Sequence, residues 1–454
     1  MTHIQTVYAS TVAHLDSNVI TGGGTDDTAA LQAVLDTARL TGGIRLIMDG
    51  AALVSGLRLH SGTTIECLNA DCGFFQIPQS NCAIVTNADW DRQALRTRNI
   101  TLIGGTYNQN CLHQEHHTAL PPKDSVSETV GAHWTFGLEF YGVENLVLRD
   151  LRIVDFRTFA VTIGCFRNVT IEKVWLDLPN RMHAQNQDGF HFWGPGQFLT
   201  VRDVGGKVGD DFMNIGPDEE DLQSSITDVL VDGVFLDDAD QAIRLLSRGS
   251  GLLDRCTIRN VQGTYRSYGF YINSWFPGDT AGNFGDIFLE NIHLTHTAPN
   301  YDYRPPVLFS VGGDIRCLTL KNIRHEYPVD PRAIGEFGLP FYATTPDTIG
   351  NYVYPAGHAP ILHTLIIDGL TLLEREDSIG LEAFQVFGPI GNLILKNVVA
   401  LTDPDVEPTG CLLSLKSTGE IGNLVLSDIF TSGKRLGEGW ERVSHLLQDN
   451  IHTL

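Results

Sequence analysis

The chain has 454 residues, about three ordinary domains by length, although repetitive single domains often exceed that guide. It carries 31 basic against 54 acidic residues, a formal charge of −23, which excludes a surface built to condense on nucleic-acid phosphates or anionic lipid. With 42% hydrophobic and only 19% charged residues, the composition is that of a folded protein with a large core, and neither nucleic acid nor a membrane is expected as a partner.

In chain order, residues 1–7 carry neither the basic nor the apolar run of a signal peptide, and no later stretch is apolar for long enough to span a bilayer, so a cytoplasmic location is expected. A cap is predicted over residues 21–43: Thr25, Asp26 and Asp27 start a helix with apolar residues at 31, 34, 35 and 38 on one face, and Gly42-Gly43 ends it. Ile44–Met48 begins the strands. Residues 106–134, with His113, His116 and His117, contain few apolar pairs and read as a loop insertion; the histidine spacing fits no standard site, so no metal is expected. A second insertion is read over 327–358, which contains Pro328, Pro331, Pro340, Pro346 and Pro355.

Between and after these insertions one short pattern recurs: apolar, any, apolar, any, Asn or Asp, apolar. It reads Leu146–Leu151, Leu199–Val204, Val229–Val234, Cys256–Val261, Ile287–Ile292, Leu318–Ile323, Leu365–Leu370, Leu393–Val398 and Leu424–Ile429, with a further copy at Val169–Val174 that has Lys173 in the Asn/Asp place. Counting from Asp203 through Asp232, Asn260 and Asn291 to Asn322, the steps are 29, 28, 31 and 31 residues, and those from Asp368 through Asn397 to Asp428 are 29 and 31. Short alternating strands at this period are the signature of a solenoid with one coil per unit, apolar side chains inside and an Asn or Asp at each corner. A helical solenoid needs apolar spacings of three and four, which the copies lack, so a single parallel β-helix over residues 1–454 is predicted. The eight cysteines form no CxxC pair and read as reduced, buried thiols.

Two segments depart from generic coil sequence: Asn186-Gln187-Asp188-Gly189-Phe190-His191-Phe192-Trp193 and Gly209-Asp210-Asp211. Asp188 precedes Asp210 and Asp211 by 22 and 23 residues, one short coil, and coils are stacked about 4.8 Å apart along the axis, so Asp188 and the Asp210/Asp211 pair are expected to cluster on one outer face. Crowded carboxylates raise at least one pKa and supply the acid and base that glycosidic cleavage needs. An Asp pair alone is also an ordinary corner, as Asp237-Asp238 is read to be.

The pair of motifs, Asn186-Gln187-Asp188-Gly189 and Gly209-Asp210-Asp211, resembles the Asn-Thr-Asp and Asp-Asp motifs of polygalacturonase-like glycoside hydrolases of family 28, and the capping helix and coils extend the resemblance over most of the chain. The resemblance implies a right-handed parallel β-helix and an inverting glycosidase, with Asp210 as general acid and Asp188 and Asp211 holding the attacking water. It departs where the family has Gly-His-Gly and Arg-Ile-Lys on the next two coils: here stand Gln241–Ser247, with Arg244, and Tyr265–Trp275, with Arg266. Without the Arg/Lys grip on a uronate, and with a charge of −23, a neutral or only locally charged glycan is expected as the partner. Asn186, His191, Trp193, Arg244, Arg266, Tyr271 and Trp275 are the candidate substrate-binding residues, with Tyr268 as further aromatic surface; each aromatic taken singly reads more readily as core than as platform. No cofactor is expected, and a homo-oligomer is compatible with the sequence. Two rival readings remain, a β-helix polysaccharide lyase and a glycan-binding protein without activity.

Overall fold

The computed structural model describes residues 4–114, 135–180, 186–274, 280–297, 306–326, 333–339, 361–374, 382–402, 410–416 and 418–453. The chain divides into two compact units, Met1–Met213 and Asn214–Leu454, and each is built from coils of a right-handed parallel β-helix.

In the first unit the alternation of the repeat sets the register. Ile100, Leu146, Val169 and Leu199 lie side by side on successive coils, as do Leu102, Leu148, Ile171 and Val201, and all eight are buried. In the second unit the same columns run Val229, Cys256, Ile287, Leu318, Leu365, Leu393 and Leu424, and Val231, Ile258, Leu289, Leu320, Ile367, Leu395 and Leu426. Removing each such side chain from water is worth about 1.5–3 kcal/mol, so the stacked columns are the main source of cohesion. On the last coil, Val443–Thr453, the core column ends in Gln448 opposite Leu426, a polar residue suited to a coil with nothing stacked beyond it among the described residues.

The cap forms as a helix over Thr28–Asp36 followed by Ala38–Thr41, burying Leu31, Leu35 and Ala38, and it ends at Gly42 in the left-handed conformation (φ 78°). Asp26 accepts the Thr28 amide at 2.9 Å, but Asp27 turns away from the helix and receives the amides of His14 and Leu15 at 2.8 and 2.9 Å.

The corners follow the Asn/Asp prediction with one correction. Asp150, Asp203, Asn260, Asn291, Asn322, Asn397 and Asp428 all adopt positive φ, and so does Lys173. In two copies the left-handed residue is the next one along, Gly233 (φ 86°) and Gly369 (φ 84°), while Asp232 and Asp368 point outward. Corner side chains also bond between coils: Asn260 donates to Asp232 (2.6 Å), Asn291 to Asn260 (2.9 Å), Asn322 to Asn291 (2.6 Å) and Asn397 to Asp368 (2.7 Å). Both expected insertions contain more order than predicted. Thr106–Asn108 is a strand because it continues a ladder with Gly73–Phe75, and Ala333–Leu339 pairs with Val307–Gly312; residues 115–134 and 340–358 lie outside the described residues.

All eight cysteines are free, and burial pushes the thiols of Cys67, Cys111 and Cys256 up to about 12, which makes them poor nucleophiles. No helix among the described residues is long and apolar enough to cross a membrane.

Candidate active site

Both motifs fall in the first unit, on adjacent turns of the coil. The Gly189 amide donates to the carbonyl of Asp211 at 2.8 Å, and the amides of Gly209 and Asp210 donate to the Gln187 carbonyl at 2.8 and 3.3 Å. On the other side the Asp188 carbonyl accepts the Ala160 amide at 2.9 Å. A side-chain contact also crosses the pair: the Asn186 amide donates to Oδ2 of Asp210 at 2.8 Å. Asn186, Asp188, Asp210 and Asp211 are thereby brought together, as the 22- and 23-residue separations require.

Gly189 has a steric reason to be glycine. A Cβ there would sit 2.3 Å from the Phe212 carbonyl oxygen and 2.6 Å from Leu176 Cδ1, so only glycine lets the two motifs approach. Asp188 and Asp211 are 3% and 2% exposed, a setting in which solvent screens charge weakly and fixed dipoles act strongly.

Phe190 and Phe192 point into the core, meeting Phe212 and Phe166, so the alternation sends His191 and Trp193 to the outer face. His191 Nδ1 lies 3.2 Å from Asp188 Oδ2, and its ring stacks on Phe159 at 4.2 Å and 13°. Two neighbours hold this ring, so His191 positions Asp188. Trp193 is fully enclosed in a cluster with Phe136, Tyr141 and Phe159; it therefore packs the wall behind the carboxylates and offers no open stacking face. Phe159 and Tyr141 were not singled out from the sequence, though aligning the copies at Val143 and Phe166 places Tyr141, Gly164 and Trp193 in one column.

In the second unit, Arg244 and Tyr271 are direct neighbours on adjacent coils, with the guanidinium carbon 5.9 Å from the ring centre, and Tyr271 stacks on Tyr268 at 4.5 Å. Their column continues outward-facing through Ser310, Glu336, Gln385, Ser414 and Glu438, a polar strip along that unit. Arg266 takes the role of an internal cation: it is buried, with Nη1 bonded to the Asp238 carbonyl and 3.0 Å from Asp238 Oδ2, and Nε 3.4 Å from Asp240 Oδ1. Burial of a guanidinium demands such partners, which is why Arg266 faces Asp238 and Asp240 where a substrate contact was expected. Trp275, His116 and His117 lie outside the described residues, and His113 bonds Asn110 at 2.8 Å. Among the described residues no group of three or more His, Cys, Asp or Glu side chains is placed to hold a metal ion.

With this geometry in hand, three comparisons bear on the chain. No family model matches it. A curated polygalacturonase from Gossypium barbadense is 24% identical over 163 residues, 36% of this chain and 38% of that protein. The chain resembles polygalacturonases. That likeness spans under two fifths of the relative's length. Among solved structures, a double mutant of the tailspike protein of E. coli bacteriophage HK620 aligns over 95% of this chain and 77% of its own with a TM-score of 0.60 at 11% identity. A single mutant of the same tailspike in complex with a pentasaccharide aligns with a TM-score of 0.59 at 10% identity, over 95% of this chain and 77% of that one. At these identities the tailspikes speak for the fold alone, the parallel β-helix seen here.

Proposed function

We propose that the protein is a glycosidase that hydrolyses an oligo- or polysaccharide by an inverting mechanism, using Asp188, Asp210 and Asp211. The observation that carries this reading is the meeting of the two motifs: the Gly189–Asp211 and Gly209–Gln187 backbone bonds put three carboxylates on adjacent turns, with Asp188 and Asp211 buried and Asp210 partly exposed. The likeness to a polygalacturonase supports the reaction class, and the tailspike bound to a pentasaccharide supports a glycan as the ligand of this fold.

In this mechanism Asp210 protonates the leaving glycosidic oxygen while Asp188 and Asp211 orient and deprotonate the water on the opposite side of the sugar. His191, held by Phe159, keeps the Asp188 carboxylate in place. A neutral or only locally charged sugar is favoured, because the net charge of −23 repels a long polyanion. Proton NMR of the first product formed tests the reaction class, because inversion gives a single, opposite anomer. An unsaturated product absorbing in the ultraviolet would instead establish a lyase.

A further inference from the structure

Residues 88–96 connect two strands of the first unit by a loop that is unusually well fixed. Asp91 Oδ1 accepts the amides of Gln93 and Ala94 at 2.8 and 3.0 Å, and its Oδ2 receives Arg96 Nε at 3.0 Å. Asn87 ties the loop to the neighbouring coil, donating from Nδ2 to the carbonyls of Asp89 (3.1 Å) and Tyr141 (2.7 Å) and accepting the Tyr141 amide at 2.9 Å. The Arg96 amide bonds the carbonyl of Gly142 at 2.8 Å. Gly142 is left-handed (φ 70°), and a Cβ on it would lie 2.4 Å from the Ala94 carbonyl oxygen, so the loop is seated directly on the backbone.

This rigid shelf holds Trp90, which is 40% exposed. Its ring lies 4.5 Å from that of Tyr141, and the Arg92 guanidinium sits 5.2 and 5.8 Å from the two ring centres, locking both. Tyr141 in turn reaches Trp193 at 5.9 Å across an intervening coil, because Gly164 between them has no side chain: a Cβ there would stand 2.3 Å from the Tyr141 ring. Trp193 contacts His191 at 4.7 Å, and His191 contacts Asp188. A continuous row of rings thus leads from the carboxylates along the outer face, buried throughout until it surfaces at Trp90.

We propose that Trp90 is the stacking platform of a remote glycan subsite: the apolar face of a pyranose ring, several units from the bond cleaved, lies on the exposed indole. An indole held rigid in advance loses little conformational entropy on binding, which is what a sugar subsite requires. The inference rests on the reading of the protein as a glycosidase and adds that it prefers long chains over short ones.

The test compares wild type, Trp90→Ala and Trp90→Phe on size series of neutral galactan, neutral xylan and homogalacturonan oligosaccharides of increasing length, with circular dichroism confirming that each variant folds. Trp90→Ala is expected to raise KM for the longest oligosaccharides about tenfold and to collapse the ratio of kcat/KM between long and short ones, with Trp90→Phe restoring most of that ratio. Wild-type cleavage whose length preference survives in Trp90→Ala overturns the subsite and leaves the glycosidase reading standing. If wild type neither binds nor cleaves any of the series, the glycosidase reading falls and the subsite with it.

Discussion

The backbone amide of Asn186 donates to Oδ2 of Asp210 at 2.8 Å, joining the first residue of one motif to the middle residue of the other. Its consequence is geometric: Asp210 is aimed by the segment that carries Asp188, so displacing either turn disturbs both carboxylates. The Gly189–Asp211 bond beside it makes the coupling reciprocal.

Gly189→Ala tests that coupling. A methyl group pressed to within 2.3 Å of the Phe212 carbonyl oxygen must push the two turns apart. Thermal unfolding should show a loss of about 1–3 kcal/mol, the usual cost of overpacking, and glycan cleavage should fall further than stability alone explains.

His191→Ala should lower kcat at least tenfold while leaving the protein folded, because the Asp188 contact goes but the Phe159 and Trp193 rings remain packed. His191→Asn, which retains a side-chain donor, should recover part of the loss. Equal kcat in His191→Ala and wild type would remove His191 from its positioning role.

Asp218, in the second unit, predicts a pH dependence of stability. It is fully buried and receives the amides of Arg248, Gly249 and Gly251 at 2.7, 2.6 and 3.2 Å. Burial outweighs these bonds and raises its pKa from 3.8 to about 6. The folded state therefore binds this proton more tightly than the unfolded chain, so the group's contribution to stability falls as pH rises from about 4 to about 6, by at most about 1.4 kcal/mol per pH unit, and is level above that. Urea unfolding of wild type and Asp218→Asn at pH 4, 5, 6 and 7 isolates the effect: wild-type stability minus that of the variant should decline across this interval, and a difference that rises with pH contradicts the assignment.

The corner residues separate what the sequence reveals from what it hides. A period near 30 and an Asn or Asp after each alternating strand were sufficient to predict coils and left-handed corners, because few residues other than Asn, Asp and Gly tolerate that conformation. The same pattern misplaced two corners by one position, at Asp232 and Asp368, since an adjacent glycine takes the strained conformation more cheaply. A substitution follows: in Gly369→Asn the new Cβ meets nothing closer than the Asn322 amide nitrogen at 3.4 Å. The variant should be within about 1 kcal/mol of wild type in chemical denaturation, whereas Asn291→Ala, which loses the ladder bonds to Asn260 and from Asn322 and keeps φ at 55°, should cost about 1–3 kcal/mol.

The carboxylate site was legible because one coil's length separates Asp188 from Asp210 and Asp211. The roles of its neighbours were not. Trp193 and Arg266 are the residue types expected on a sugar, yet one is enclosed by rings two coils away in sequence and the other is held by Asp238 and Asp240, contacts that no local pattern announces. Trp90 was overlooked for the complementary reason: it lies in a loop outside the repeat, and the missing side chain at Gly164 lets Tyr141 link it to Trp193 beside the carboxylates.

The most direct test of the central claim measures cleavage of a broad panel of oligosaccharides by wild type and by Asp211→Asn in parallel, with Asp237→Asn as a control outside the site. Cleavage of at least one glycan by wild type and the control, reduced about 10²-fold or more in Asp211→Asn, is the predicted result. Cleavage undiminished in Asp211→Asn would contradict the three-aspartate mechanism.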